Sequence, residues 1–164
     1  MITYLEGDAT APIGDGQKII THVNNDLGGW GKGFVVALSK RWSEPERRYR
    51  GWYRNGGYID AGSNVLFALG QIQPVRVEDD ITVCNMVAQG GYYPKTKGPY
   101  IRYDTLEECL QSVARLANST VHQASVHMPR IGCGLAGGQW SEVEPIIERT
   151  LAAANVPVFV YDLP

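Results

Sequence analysis

The residues best placed to do chemistry lie in two glycine-rich stretches. The first is Asn24-Asn25-Asp26-Leu27-Gly28-Gly29-Trp30-Gly31-Lys32-Gly33, and the second runs from Pro129 to Gly138 with four glycines in its last seven residues. Glycines at that density let successive backbone N–H groups turn toward a bound anion without a Cβ in the way. Each stretch follows an apolar run that reads as a strand, Lys18 to Val23 and Ala124 to Met128. Each also leads into a helical pattern, opening at Phe34 and at Trp140. A strand feeding a glycine-rich turn and then a helix is a recurrent way to hold phosphate, because the helix dipole adds to the free amides. Either loop alone reads equally well as an ordinary turn. Two of them in one chain suggest two walls around one diphosphate.

The elements that must position these loops follow from the chain in order. Ile2 to Glu6 reads as a first strand, ending at Gly7-Asp8-Ala9-Thr10, where Asp8 is either a turn cap or an acceptor for an amino group. Phe34 to Trp42 and Glu44 to Arg54 read as helices, and Arg47, Arg48, Arg50 and Arg54 as solvated surface. Val65 to Leu69 and Ile81 to Val87 are two further strands, the second rich in β-branched residues and expected at the centre of the sheet. Ala88 to Arg102 is a long loop with Gly90, Gly91, Pro94, Gly98, Pro99 and three tyrosines, which suggests a binding lid. Asp104 with Glu107, and Ser141 with Glu144, resemble capping boxes for the last two helices, and Pro145 is expected near the first turn of the second. Val158 to Tyr161 closes the chain as a strand. Strands and helices alternate, which predicts an α/β sandwich with a largely parallel, twisted sheet.

Composition narrows the function class. The 164 residues read as one domain, 1–164, with 44% hydrophobic and 20% charged residues. A net charge of −2 gives no support to nucleic-acid binding through a basic face. No apolar run reaches membrane-spanning length, and the chain opens on a strand pattern instead of a signal peptide. Cys84, Cys109 and Cys133 are odd in number and lack metal-ligand spacing, so a cytoplasmic protein without a metal site is expected. A monomer is expected as well. There is no GxGxxG at the first βα turn and no GxxxxGK[ST], which argues against a dinucleotide-binding Rossmann domain and a P-loop ATPase.

Over essentially its full length the chain resembles a macrodomain, the ADP-ribose-binding α/β/α module. The residues that carry the resemblance are Gly7-Asp8, Asn25 with Gly31-Lys32-Gly33, the strand Asn85-Met86-Val87, and Pro129-Arg130-Ile131-Gly132-Cys133-Gly134-Leu135 followed by Gln139-Trp140. The last is specific to the branch holding the terminal ADP-ribose protein glutamate hydrolases and the yeast-type ADP-ribose-1″-phosphate phosphatases. The resemblance implies a three-layer α/β/α sandwich with a mixed, largely parallel central sheet. It implies ADP-ribose or ADP-ribosylated proteins as partners, with no cofactor. Asp8 would hold the adenine amino group, Ala9 would offer a backbone donor, and Tyr161 would pack beside the adenine. Gly28, Gly29, Trp30, Gly31, Lys32, Gly33 and Phe34 would clasp the diphosphate from one side. Pro129, Arg130, Ile131, Gly132, Cys133, Gly134, Leu135 and Ala136 would clasp it from the other. Asn25 would hydrogen-bond the distal ribose.

The departures bear on chemistry. The glutamate hydrolases carry a lysine after the central strand, which attacks C1″, and an aspartate after Gly-Cys-Gly-Leu; here those positions are Gln89 and Ala136. A glutamine forms no lysine-type covalent intermediate, and an alanine is neither acid nor base. MacroD-type hydrolases place an aspartate where Val35 or Val36 stands. Lys95 and Lys97 in the following loop are the only nearby amines. Asn25, Asp26 and Gln89 are therefore the catalytic candidates, with Asp26 the candidate base. His22, inside an apolar strand, reads more readily as a core residue, and Trp30 as a lid. Cys133, at a helix entrance, has either a lowered thiol pKa or a space-filling role. Three readings stay open: a hydrolase of ADP-ribosyl esters on protein carboxylates working without the usual pair, a non-catalytic reader of ADP-ribose, and an ADP-ribose-1″-phosphate phosphatase. The first is preferred, with the ligand's own diphosphate or hydroxyl positioning a water near C1″.

Overall fold

In the computed structural model, which describes residues 1–164, six strands form one sheet flanked by four helices. The elements in chain order are β1 (Ile2–Glu6), β2 (Lys18–Asn25), α1 (Phe34–Arg41), α2 (Glu44–Asn55), β3 (Gly57–Asp60), β4 (Ser63–Leu66), β5 (Ile72–Glu78) and β6 (Ile81–Gln89). They continue with α3 (Tyr103–Asn118), β7 (Ser125–Met128), α4 (Trp140–Thr150) and β8 (Val158–Asp162). The sheet order is β1-β8-β7-β2-β6-β5, parallel throughout except that β5 runs antiparallel to β6. The expected mixed, largely parallel sheet is present.

Alternation along the central strands explains the three layers. Ile20 of β2 and Ile81, Val83 and Val87 of β6 join Val35 and Leu38 of α1 and Tyr49 and Trp52 of α2 in one core. Ile19, Cys84, Met86 and Ala88 point the other way, into the larger core with α3 and α4. Strands buried on both faces are what a parallel sheet covered by helices requires.

Two expectations about elements are corrected. Val65 to Leu69 is not a strand of the sheet. Its first residues belong to β4, which pairs only with β3 as a separate hairpin. The hairpin turns through Ala61 and Gly62, both at positive φ (49° and 83°), as a right-twisted two-residue turn demands. The sixth strand is β5, which sequence reasoning missed because Pro74 interrupts it; at the sheet edge a proline is tolerated.

The capping boxes do not form either. α3 is capped at Arg102 and α4 at Gln139, and neither cap makes a side-chain bond. Glu107 instead pairs with Arg149 across α3 and α4 at 2.7 Å, and Glu144 takes the Tyr4 hydroxyl. Pro145 lies inside α4, not in its first turn. Tertiary partners outcompeted the local caps.

Candidate ligand cleft

Because β7, β2 and β6 are adjacent and parallel, the loops that leave them all emerge at one edge of the sheet, where ligands gather in open α/β folds. The loop after β2 is held open by its own side chains. Asn25 Oδ1 accepts from the N–H groups of Leu27 (2.9 Å) and Gly29 (3.0 Å), while its Nδ2 donates to the Gly29 carbonyl (2.9 Å). Tyr49 Oη donates to the Asn25 carbonyl at 2.5 Å, and Arg50 takes the carbonyls of Gly28 (2.9 Å) and Trp30 (3.3 Å). With these carbonyls engaged by α2, the N–H groups of Lys32, Gly33 and Phe34 at the start of α1 are left without protein partners. Gly29 is tightly enclosed: a Cβ there would stand 3.0 Å from both the Asn25 amide and the Tyr92 ring.

The loop after β7 is folded on itself. Gly138 N donates to Gly132 O at 2.7 Å, and a Cβ on Gly138 would sit 2.4 Å from that same oxygen. Gly132 adopts φ 74°, and a Cβ on it would meet Ile101 at 2.8 Å. The Ala136 carbonyl accepts from Tyr100 and Ile101, so the loop is tied from behind. The N–H groups of Gly134, Leu135 and Ala136 have no protein partner. Leu135 reaches across toward Gly33, where the two loops meet.

Between the loops lie two adjoining cavities of about 260 Å³ each. The first is lined by Asn24, Asn25, Gly29, Trp30 and Gly31 on one side and by Tyr92, Tyr93 and Pro94 on the other. The second is lined by His22, Gly33 and Phe34 against Pro129, Arg130, Ile131, Gly132, Gly134 and Ala136. Val23, Lys32, Val35, Gln89 and Leu135 border both. Neither has a carboxylate in its lining, Lys32 is a cation shared by the two, and the residues with unpartnered N–H groups line the second: the chemistry of an anion site. Arg130 adds little free charge. It is bound bidentately to Asp162 (2.7 and 2.9 Å), which raises its pKa, and it stacks between the Tyr4 and Trp140 rings.

The cleft gathers the predicted Asn25, Gly29, Trp30, Gly31, Lys32, Gly33, Phe34 and Gln89, together with the second loop except Cys133. Gly28 lies behind the first loop, where a Cβ would meet the Tyr53 ring at 2.4 Å. Asp26, expected as a base, borders neither cavity: its Oδ1 accepts from Gly91 N at 2.9 Å and its own N donates to Gln89 O at 2.9 Å. Of the two roles open to Cys133 the lowered thiol pKa is the one not found: burial pushes the thiol upward. Trp30 is a fixed wall, not a lid, 7% exposed with its indole N–H on Ser39 Oγ at 2.8 Å. Lys95 and Lys97 are exposed and border neither cavity.

Asp8 follows the end of β1 and Tyr161 lies near the end of the adjacent parallel β8, where a Cβ on Gly7 would stand 3.3 Å from the Tyr161 ring. Asp8 Oδ1 accepts from both Thr10 N and Thr10 Oγ1 at 2.8 Å, and Ala9 behind it is buried. Tyr161 is 4% exposed, with its hydroxyl taking the Ile13 N–H (3.0 Å) and facing His127 Nδ1 (2.7 Å). Asn24, Val23 and Val35 were not anticipated as lining residues; as apolar or doubled positions of a strand and a helix they carry no distinguishing signal.

This architecture has relatives. No family model matches the chain. It is 48% identical to a macrodomain protein from Streptomyces coelicolor, with 99% of each chain covered and a TM-score of 0.83. It is 52% identical to a protein of unknown function from Bacteroides thetaiotaomicron, covering 99% of this chain and 98% of that one, with a TM-score of 0.90. Among curated proteins it is 34% identical over 113 residues to the ADP-ribose glycohydrolase OARD1 of Bos taurus, covering 64% of this chain and 74% of that protein. The chain matches the mouse chromodomain-helicase-DNA-binding protein 1-like at 29% identity but spans only 18% of its length. The chain belongs to the macrodomain family.

Proposed function

We propose that the protein binds ADP-ribose in this cleft and hydrolyses ADP-ribosyl esters on acidic protein side chains. The observation that carries the reading is the pair of facing amide rows, Lys32 to Phe34 and Gly134 to Ala136, across a cavity with no carboxylate. A diphosphate placed there receives backbone hydrogen bonds from both sides and needs no basic excess. The distal ribose then takes the first cavity, under Tyr92 and Tyr93, and its seam with the second, and the Asp8–Tyr161 corner takes the adenine. The name of the bovine relative, a glycohydrolase, supports cleavage at the sugar C1″.

In the proposed reaction water adds to C1″ as the C1″–O bond to the ester breaks, giving ADP-ribose and the free carboxylate. A glutamate carboxylate with pKa near ~4.3 leaves without needing protonation, so the general acid is dispensable. The water's proton passes to the diphosphate or to solvent. Gln89 borders both cavities with its Nε2 held by Gly91 O at 2.9 Å, leaving Oε1 to orient the water. Asn25 acts through the loop it closes and Asp26 through the loop it ties, so neither serves as base.

A specific observation favours a second reading, a non-catalytic ADP-ribose reader: Gln89 stands at the reacting end, Ala136 lines the adjoining cavity, and no carboxylate borders either. A timed incubation with glutamate-linked ADP-ribosylated protein, alongside calorimetry with ADP-ribose, separates them. Release of ADP-ribose establishes the hydrolase. Binding with the ester intact over hours makes the protein a reader, and absence of binding removes both. Release of phosphate from ADP-ribose 1″-phosphate in a parallel sample would assign the phosphatase reading instead.

A further inference from the structure

A side-chain chain running inward from α2 fixes the proton positions up to the cleft. The Arg48 carbonyl can only accept, so Gln73 presents Nε2 to it at 3.0 Å and turns Oε1 toward Asn85. Asn85 Nδ2 donates to that Oε1 at 3.1 Å and to the Pro45 carbonyl at 3.2 Å. Asn85 Oδ1 is thereby the acceptor, and the ring nitrogen 2.7 Å from it, His22 Nε2, carries the proton. The strand register pairs His22 with Asn85 directly, so this contact is built into the sheet. His22 Nδ1 is left as a bare lone pair, 98% buried by the 2% exposure of the residue, with no partner.

Asn24 is its complement. It lies two residues along β2, on the same face. Its Oδ1 accepts from Met86 N at 3.1 Å, so its Nδ2 must donate, and that nitrogen is also buried without a partner. His22 borders the second cavity, Asn24 the first, and Val23 between them borders both. Buried polar atoms are paired in the great majority of proteins; of the three orphans on this strand Thr21 Oγ1 lies on the other face, and the two that border the cleft call for a partner.

Their polarity restricts what that partner is. A phosphate oxygen satisfies Asn24 but sets lone pair against lone pair at His22 Nδ1. Neighbouring sugar hydroxyls satisfy both, one donating to His22 Nδ1 and another accepting from Asn24 Nδ2. We propose that His22 and Asn24 are a hydroxyl-reading pair that takes the distal sugar of the ligand and sets the preference for a sugar-bearing nucleoside diphosphate over the bare one. The inference rests on the ADP-ribose reading above. His22 contributes as a positioning residue and stays neutral, since burial holds its pKa at about 4.

The test uses the intact protein carrying 15N-labelled histidine, titrated separately with ADP-ribose and with ADP, which lacks the distal sugar. The expected result is a His22 ring that remains Nε2-protonated throughout. Its Nδ1 resonance moves upfield on saturation with ADP-ribose and stays in place with ADP. In His22→Phe and Asn24→Ser variants, folding being checked by thermal melting, ADP-ribose affinity falls about tenfold or more and ADP affinity by less than about twofold, as for a site that has lost a hydroxyl partner. ADP-ribose binding with an unmoved Nδ1 resonance means that a trapped water satisfies the pair; it overturns the inference and leaves the ADP-ribose reading standing. An equal shift with ADP overturns it by placing a different hydroxyl there. If neither nucleotide binds, both readings fall together.

Discussion

The Asp26 carboxylate accepts from the Gly91 N–H at 2.9 Å and so ties the loop leaving β2 to the loop leaving β6. The bond is reinforced by Asp26 N donating to Gln89 O at 2.9 Å, so two walls of the cleft are joined at two points. The contact calls for an acceptor at this position, and the proposed mechanism calls for no proton-transfer group there.

That distinction predicts that Asp26→Asn, whose Oδ1 still accepts from Gly91, retains turnover of glutamate-linked ADP-ribosylated protein within about threefold. Asp26→Ala removes the acceptor and loses ~1–3 kcal/mol of stability along with turnover. Initial rates and thermal melting of both variants check it. A dead but fully folded Asp26→Asn would restore the base assignment.

Two glycines of the second loop separate fold from binding. A Cβ at Gly138 would stand 2.4 Å from the Gly132 carbonyl oxygen, a backbone atom with nowhere to go, whereas a Cβ at Gly134 meets nothing within 4 Å. Gly138→Ala is expected to lower stability by roughly 1–3 kcal/mol. Gly134→Ala should melt like the parent yet bind ADP-ribose at least about tenfold more weakly, because the added methyl intrudes beside the free amides. Calorimetry together with melting curves distinguishes the two outcomes.

His22 and His127 are both buried, and burial lowers the pKa of each from 6.5 to about 4. Between those values the unfolded chain binds more protons than the folded one, so stability falls as pH drops from 6.5 toward 4 and is level above 6.5 with respect to these groups. Each histidine accounts for on the order of 3 kcal/mol across that window. Urea titrations at stepped pH should show the fall, and a variant with His127 replaced by Gln should show a shallower one.

Lys32 is an exposed cation bordering both cavities. If the amide rows carry the diphosphate, Lys32→Gln costs less than ~1 kcal/mol, about fivefold in affinity or less, as for a solvent-screened charge. Calorimetry at low and high salt measures it. A loss of a hundredfold would mean that the lysine, and not the backbone, holds the anion.

Much of the fold was written locally. The alternation of strands and helices, the apolar runs of β2 and β6, and the two glycine stretches are short-range patterns, and they were enough to expect an α/β sandwich with a largely parallel sheet and two phosphate-type loops. β5 escaped because a proline erases the strand signal everywhere except at a sheet edge, and an edge exists only once strand order is set. The capping boxes misled for a related reason. Glu107 and Glu144 had distant partners, Arg149 and Tyr4, that no window of sequence displays.

The division within the cleft has the same cause. Which residues could line it was legible, because glycine density reports backbone freedom at the residue itself. What each polar side chain does there was not. Asp26 became a tie because Gly91 lies opposite it, and Cys133 a half-buried thiol with its pKa pushed upward by desolvation. His22 became a polarised acceptor because the parallel register sets Asn85 beside it and the Arg48 and Pro45 carbonyls orient the amides behind it. Residue types and loops belong to the sequence, whereas hydrogen-bond direction depends on neighbours that only the assembled sheet brings together.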